Sequence, residues 1–163
     1  MKSNEKKTNL SDIGLDLPSV ENFKFGIVVS EWNNNITNSL LNGALETLYN
    51  CKSKENNIDV IFVPGSFELP QAAELLARKN IYDAIICLGC IIQGETRHFE
   101  FISTAVANGI MKVSIKNGLP VVFGVLTTNN MEQAIDRSGG KHGNKGIEAA
   151  ATAVKMVTNE KIN

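Results

Sequence analysis

Four short apolar runs alternate along the chain with segments in which apolar residues recur at helical spacing. The runs cover residues 24–30, 59–65, 82–92 and 120–127. They have the length of strands and are apolar on both faces, which is typical of parallel strands covered by helices. A chain that alternates in this way folds into layers, with right-handed crossovers between parallel strands. We therefore predict a three-layer α/β sandwich with a central four-stranded parallel sheet flanked by helices.

Periodicity and end signals predict the helices between these strands. An amphipathic helix is expected over 36–54, where apolar residues recur at helical spacing. A longer helix ends at Asn117-Gly118, a plausible C-cap. The polar residues 1–22 lack a clear period, so we expect an extended N-terminal arm, flexible or packed on a neighbouring subunit, before a single domain at 23–163. The other predicted helices cover 70–79, 97–116, 130–138 and 144–159, the last two joined by the glycine-rich SGGKHGNKG.

Composition excludes several classes of protein. The net charge is −1, so no broad positive field would attract nucleic acid or anionic lipid. No apolar run approaches the roughly 18 residues of a membrane span. Three cysteines argue against a disulfide framework. Without an apolar segment behind the N-terminal lysines there is no secretory signal, so we expect a cytoplasmic protein.

The carboxyl ends of the predicted strands carry the candidate site. Ligands of open α/β sheets bind beyond these ends. Three of the four ends bring a large aromatic or titratable side chain, such as Trp32, Phe67 and His98. Loops that only connect elements tend to carry small polar residues, so we predict that these ends form one site.

The stretch Gly94-Glu95-Thr96, which would open a helix, has two interpretations. Free backbone N–H groups and the helix dipole would bind an anion there, and the glycine would let the anion approach the backbone. The alternative is a simple N-cap by Thr96. His98 is likewise either a general acid or base, because histidine titrates near neutral pH, or a first-turn residue satisfied locally.

Aromatic residues at the strand ends are equally ambiguous. Trp32 is the only tryptophan and directly follows the first strand. It is either a stacking platform for a planar ligand or a core or interface anchor. The same alternatives apply to Phe67 and Phe123.

The joint between the last two helices is locally basic. It does not match the phosphate-binding pattern G-x-x-x-x-G-K-[ST]. Its cations either stabilise a helix dipole or clamp an anion, and Arg137 has the planar fork for bidentate phosphate contact. These cations are Arg137, Lys141, His142 and Lys145.

Cys87 and Cys90 form a C-x-x-C pattern but not a predicted redox or zinc site. Both lie in a predicted strand, where residues three apart point to opposite faces. A redox pair opens a helix, and a zinc site would need a second such pair. We therefore expect no metal and no redox role.

The predicted helix over 97–116 has apolar residues on more than one face. Such a helix needs burial on both sides. One sheet covers one side, so we expect a neighbouring subunit on the other. The apolar residues are Phe99, Ile102, Val106 and Ile110 on one side, and Phe101, Ala105 and Met111 on the others.

Five segments together resemble the lumazine synthase family over about 25–157. In order, they are IVVSEWN, VPGSFELP, LGCIIQGETRHFEFI, PVVFGVLTTNNMEQAIDRSG and KHGNKGIEAA. The resemblance implies a flavodoxin-like fold and a transferase that condenses 5-amino-6-(D-ribitylamino)uracil with 3,4-dihydroxy-2-butanone 4-phosphate. The products are 6,7-dimethyl-8-ribityllumazine, phosphate and water, in the penultimate step of riboflavin biosynthesis. No hydride or electron moves, so no cofactor is expected.

The resemblance also implies roles for individual residues. His98 matches the catalytic histidine. The residues matching the butanone phosphate site are Glu95, Thr96 and Arg137. Whether Arg97 touches substrate is left open. The residues matching the ribitylaminouracil site are Trp32, Ser66, Phe67, Glu68, Cys90, Ile91 and Ile92, together with Phe123 and Lys141 from a neighbouring subunit.

Assembly follows from the same resemblance. The family forms pentamers with the helix over 97–116 near the five-fold axis, and some members build hollow shells. The joint between the last two helices lacks the insertion of pentamer-only members, so we predict a 60-subunit icosahedral shell, with riboflavin synthase as a candidate partner enzyme. The alternative is a non-catalytic flavin- or lumazine-binding protein on the same fold, which would keep Trp32 and Glu68 but lose His98 or the anion clamp.

Overall fold

Helices cover both faces of a four-stranded parallel sheet in the computed structural model, which describes residues 16–159. The strand order is β2-β1-β3-β4, and each neighbouring pair is parallel. The predicted flavodoxin-like three-layer sandwich is therefore confirmed. The strands are β1 (Phe25–Ser30), β2 (Ile58–Val63), β3 (Ala84–Ile92) and β4 (Val121–Thr128).

Five helices connect and follow these strands within the described residues. Short 3-10 turns precede β2 at Glu55–Asn57 and α2 at Ser66–Glu68. The glycine-rich joint, for which the sequence predicts only a connection, contains a small antiparallel hairpin of β5 (Ser138–Gly140) and β6 (Gly143–Asn144). The helices are α1 (Asn34–Asn50), α2 (Leu69–Ala77), α3 (His98–Asn117), α4 (Met131–Asp136) and α5 (Lys145–Val157).

The predicted end of the first helix is wrong by one turn. The sequence predicts a helix to residue 54, but α1 ends at Asn50. Lys52 has φ 66°, in the left-handed region. A residue in that region cannot continue a right-handed helix. The backbone N–H of Ser53 then donates to the Leu48 carbonyl, which closes the helix.

The core has two layers, one on each face of the sheet. Phe25, Ile27 and Val29 pack against α1 and α5, whereas Val28 packs against α2 and α3. This alternation follows from the two-residue period of a strand. Cys87 and Cys90 lie in different layers, which confirms that they point to opposite faces.

Strand β2 departs from the expected burial. We predicted that all strands would be covered on both faces, but every residue of β2 is half-buried or exposed. Phe62 in its middle is 52% exposed. The prediction is wrong for β2 because this strand lies at the edge of the sheet, where the helices of the same chain cover it incompletely.

The predicted arm is described only from residue 16 onward. Residues 1–15 lie outside the described part of the chain. Val20 is fully buried, and its backbone N–H donates to the Cys51 carbonyl at 2.8 Å. Leu17 packs against the same core layer. The C-terminal part of the predicted arm thus contributes to the core of its own chain.

Within residues 16–159, no helix is long and apolar enough to cross a membrane.

Helices α1 and α5 approach each other with almost no space between their backbones. A Cβ on Gly146 would lie 1.8 Å from the carbonyl oxygen of Leu40. Asn144 caps α5 by accepting a hydrogen bond from the Gly146 N–H at 2.8 Å. Its amide group also donates to the carbonyls of Ser39 and Ser138. This contact fixes the hairpin and α5 against α1.

A charged cluster joins α2 to α3. The carboxylate of Glu74 accepts hydrogen bonds from Lys116, from Asn117 at 2.8 Å and from Arg78 at 2.9 Å. The bond from Lys116, followed by those from Asn117 and Arg78, lowers the pKa of Glu74 from 4.5 to about 2. The ionised carboxylate is therefore the form that the folded chain favours.

Replacing Glu74 with glutamine should destabilise the fold in a pH-dependent way. Because the pKa falls on folding, the stabilisation is complete above pH 4.5 and is lost as the pH falls toward 2. We expect the variant to unfold at lower urea concentration at pH 7, and the difference from the wild type to shrink below pH 4.5. Glu100→Gln, which removes an exposed pair with Arg97, is the matched control and should change stability little. A difference that is the same at pH 3 and pH 7 would contradict this account.

Candidate active site

A cavity of about 350 Å³ opens at the carboxyl ends of β1 and β3. The turn at Ser66–Glu68 and the start of α3 form its other walls. The structure brings seven of the predicted site residues together in its lining: Trp32, Ser66, Phe67, Cys90, Ile91, Ile92 and His98.

Backbone hydrogen bonds hold Trp32 at the end of β1. The N–H groups of Glu31 and Trp32 donate to the carbonyls of Val63 and Pro64 at the end of β2, at 2.8 and 3.1 Å. Asn33 then adopts φ 60°, and its side-chain amide donates to the Cys90 carbonyl at 3.1 Å. The indole remains 75% exposed. The backbone is thus fixed while the exposed ring lines the cavity, which argues against a core anchor; the stacking platform and the interface anchor both stay predictions.

The turn after β2 is closed by its own acidic residue. The Glu68 carboxylate accepts a hydrogen bond from the Gly65 N–H at 2.9 Å. Ser66 is buried beneath the turn, whereas Phe67 is 56% exposed and lines the cavity. Glu68 itself does not line the cavity, so its assigned contact with the substrate remains a prediction.

The end of β3 supplies an apolar wall. Cys90, Ile91 and Ile92 continue the strand to the cavity. Burial raises the pKa of Cys90 to about 11 and that of Cys87 to about 12. Both thiols are therefore neutral at pH 7, and Cys90 contributes shape rather than a thiolate. Within residues 16–159, no group of three His, Cys, Asp or Glu side chains could hold a metal ion.

His98 is the first residue of α3 and faces the cavity. Its side chain is exposed, and within the described residues the imidazole forms no hydrogen bond. This arrangement disfavours a histidine satisfied locally. An imidazole that is open to a cavity is in position to exchange protons with a bound molecule.

The residues before α3 differ from the expected helix start. Thr96 is not the N-cap, because α3 begins two residues later and its N-cap is Arg97. The Thr96 hydroxyl only accepts a long contact of 3.4 Å from the His98 N–H. Glu95 and Thr96 are exposed and do not line the cavity. The guanidinium of Arg97 pairs with Glu100 at 3.1 Å and lies over the ring of Phe101.

Three predicted site residues lie away from the cavity. Phe123 lines a separate groove between α3, β4 and α5. Arg137 is half-buried at the end of α4. Lys141 pairs with Asp136 at 3.0 Å, and this pairing raises the pKa of Lys141. None of the three therefore lines the cavity that contains His98 in its own chain.

Sequence reasoning missed three residues of the cavity lining, Asn33, Gly65 and Ile102. Ile102 follows His98 by four residues, and helical spacing places such pairs on one face. That spacing could have identified it. Asn33 and Gly65 lie at the strand ends already singled out, but only their backbone geometry brings them into the wall.

Comparison with known proteins agrees with this geometry. The family model described as 6,7-dimethyl-8-ribityllumazine synthase matches residues 22–161. The chain belongs to the 6,7-dimethyl-8-ribityllumazine synthase family. The resemblance seen in the sequence is therefore confirmed, and the match to this family includes every strand and helix from β1 to α5.

Individual relatives carry the same name. A 6,7-dimethyl-8-ribityllumazine synthase of Cytophaga hutchinsonii is 56% identical over 149 residues, covering 91% of this chain and 94% of the relative. The protein of that name from Flavobacterium johnsoniae is 50% identical, covering 91% and 78%. The one from Porphyromonas gingivalis is 47% identical over 155 residues, covering 94% and 96%.

Proposed function

We propose that this protein condenses 5-amino-6-(D-ribitylamino)uracil with 3,4-dihydroxy-2-butanone 4-phosphate to form 6,7-dimethyl-8-ribityllumazine, phosphate and water. It is then the transferase of the penultimate step of riboflavin biosynthesis. The observation that carries the proposal is the cavity shared by Trp32, Phe67 and His98 in a chain of this family. No observation favours a non-catalytic binding protein, because His98 faces the cavity and Arg137 is present.

The uracil fits the apolar and aromatic part of the cavity. Trp32 and Phe67 offer exposed ring faces on which a planar pyrimidine can stack. The end of β3 closes one side with Cys90, Ile91 and Ile92. The family resemblance assigns Ser66 and Glu68 to the uracil and its ribityl chain. Such a site holds the reacting amine in a fixed orientation, which lowers the entropic part of the barrier.

His98 is the proton-transfer group in the proposed reaction. The amine attacks the ketone, and loss of water gives an imine. Phosphate is then eliminated, and the second amine closes the ring on the remaining carbonyl carbon with loss of a second water. Each step moves protons but transfers no electrons to or from a cofactor. An imidazole facing the cavity can accept a proton from the attacking amine and return it to a leaving oxygen.

The phosphate site requires more than one subunit in this proposal. Glu95 and Thr96 lie just before α3 and are exposed. Arg137 does not line the cavity of its own chain. We therefore place Arg137 with Phe123 and Lys141 as residues that a neighbouring subunit contributes. The ion pair with Asp136 holds Lys141 at the end of α4, where Arg137 also lies.

Exposed apolar surface supports the assembly. Ile115 on α3 is 75% exposed, and Phe101 and Met111 on the same helix are exposed too. The groove that contains Phe123 lies between this helix and α5. A surface of this kind is typical of a subunit interface. We propose a pentamer assembled through α3, with 60 subunits in a shell and riboflavin synthase as a partner that consumes the product.

The assembly can be measured by light scattering at near-neutral pH. We expect a particle of 60 subunits, because the joint between α4 and α5 is a short hairpin and the family resemblance implies an insertion there in pentamer-only members. A single species of pentamer mass across a wide concentration range would exclude the shell. An active monomer would exclude the shared site.

The activity itself is tested by mixing both substrates with the purified protein. We expect the absorbance and fluorescence of the lumazine to appear together with inorganic phosphate. The reaction without butanone phosphate is the control. If neither product appears above the uncatalysed rate, the proposed function is wrong.

Replacing Arg137 with alanine should selectively weaken binding of the phosphorylated substrate. A charge-assisted bidentate contact contributes about 1.5–3 kcal/mol. We therefore expect KM for the butanone phosphate to rise about 10- to 100-fold, with little change for the uracil. Arg78→Ala, which removes the same charge from the far end of α2, should leave both KM values unchanged. Equal losses for the two substrates would indicate a general fault in folding instead.

A further inference from the structure

Gly89 lies in the middle of β3, where a side chain would have no room. A Cβ at this position would lie 2.6 Å from the hydroxyl oxygen of Ser66, 2.9 Å from Cδ1 of Leu69 and 3.4 Å from the hydroxyl oxygen of Ser30. Gly89 is not among the residues with positive φ. Glycine is therefore required here because a side chain would not fit, and not because the backbone conformation excludes other residues.

The hollow left by Gly89 is filled from three sides. Leu69 and Ser30 are fully buried, so neither can move into solvent. The Ser30 hydroxyl has no hydrogen-bond partner within residues 16–159. Ser66 is also buried, at 7% exposure, but it lines the cavity and so has more room to yield than the two fully enclosed residues.

A shift of the Ser66 backbone away from Gly89 would displace the neighbouring residues of the turn. The Glu68 carboxylate holds the Gly65 N–H at 2.9 Å and closes the turn. Gly65, Ser66 and Phe67 all line the cavity, and α3 packs against the other side of the turn. Such a shift would change how far the ring of Phe67 projects into the cavity.

We propose that Gly89 is a positioning residue for the uracil half of the cavity: it admits the Ser66 hydroxyl and so fixes the turn that presents Phe67. This inference rests on the proposed function for the identity of the ligand. Gly89 does not line the cavity itself, and Ser66 is the cavity residue that a Cβ at this position would meet. The three atoms nearest to an added Cβ belong to Ser66, Leu69 and Ser30 and not to Arg137, so we expect the effect on the ribitylaminouracil.

The test is the variant Gly89→Ala. The expected result is a rise of about tenfold or more in KM for the ribitylaminouracil, with KM for the butanone phosphate unchanged. Trp32 is the only tryptophan, so quenching of its fluorescence by the ribitylaminouracil reports binding without turnover. The same shift is expected in that titration.

A matched control separates positioning from loss of stability. Gly26 lies at the other end of the sheet, and a Cβ there would contact Leu76 at 3.0 Å and Tyr82 at 3.5 Å. Gly26→Ala should lower the melting temperature yet leave both KM values unchanged. A Gly89→Ala protein that melts lower but binds the ribitylaminouracil normally would overturn the inference.

A double-mutant cycle tests the route through Ser66. Ser66→Ala removes the oxygen nearest to the new methyl group, so Gly89→Ala should raise KM less in that background. An equal effect in both backgrounds would overturn the inference.

A second variant serves if Gly89→Ala does not fold. Ser66→Cys crowds the same hollow from the opposite side and is expected to raise KM for the ribitylaminouracil. Unchanged binding of the ribitylaminouracil in that variant would overturn the inference. A wild-type protein that forms no lumazine would reject the proposed function, whereas the Trp32 titration would still compare the variants.

Discussion

Replacement of His98 by alanine is expected to slow lumazine formation by about 10- to 10⁴-fold, where lost acid–base catalysis usually costs about 10²- to 10⁴-fold. The low end of this range is favoured because imine formation also proceeds in water. Substrate binding should change little, since Trp32 and Phe67 remain in the cavity wall. Turnover at saturating concentrations of both substrates is the quantity to measure.

Two companion measurements separate proton transfer from packing. His98→Gln keeps a polar side chain of similar size but cannot exchange a proton, so it should be nearly as slow as the alanine variant. Added imidazole should partly restore turnover in His98→Ala, because the exposed position at the start of α3 leaves space for it. Unchanged turnover in both variants would remove His98 from the mechanism.

Replacement of Gly146 by alanine is expected to have the largest effect on stability. The new Cβ would lie 1.8 Å from the carbonyl oxygen of Leu40 and 2.6 Å from its carbonyl carbon. These are backbone atoms of α1, so no side-chain rotation relieves the contact, and α1 and α5 must separate. Overpacked cores typically lose about 1–3 kcal/mol, and a backbone clash exceeds that range. We expect a loss of more than about 3 kcal/mol, or no folded protein.

Urea or thermal unfolding measures this loss. Gly94→Ala provides the comparison, because a Cβ there would meet nothing within 4 Å. That variant should match the wild type or be slightly more stable, since alanine restricts the unfolded chain. A melting temperature of Gly146→Ala close to that of the wild type would mean that the two helices have more freedom than the contact implies.

The shape of the site could be predicted from the sequence because parallel strands end at one edge of the sheet. Trp32 follows β1, Phe67 follows β2 and His98 follows β3, so the fold brings them into one cavity whatever the details of the helices. The alternation of apolar runs and helical periods was sufficient for this step.

Other parts of the site depend on local contacts that no periodic pattern encodes. The left-handed conformation of Asn33 and its hydrogen bond to the Cys90 carbonyl join residues 57 positions apart. Glu68 is predicted to contact the substrate, but its carboxylate accepts a hydrogen bond from the Gly65 N–H within its own turn. The β5–β6 hairpin consists of strands of three and two residues, too short to show a period of two.

The separation of Arg137 and Phe123 from the cavity of their own chain has a genetic consequence under the proposed assembly. Each copy of the chain would serve two reaction centres, giving His98 to one and Arg137 to the next. Two alleles, one defective at His98 and the other at Arg137, would then complement each other in a mixed particle. At some interfaces the first chain would supply an intact Arg137 and the second an intact His98. A single allele defective at both positions would instead lower the activity of a mixed particle by more than its share of the subunits, since each of its copies would disable two neighbouring centres.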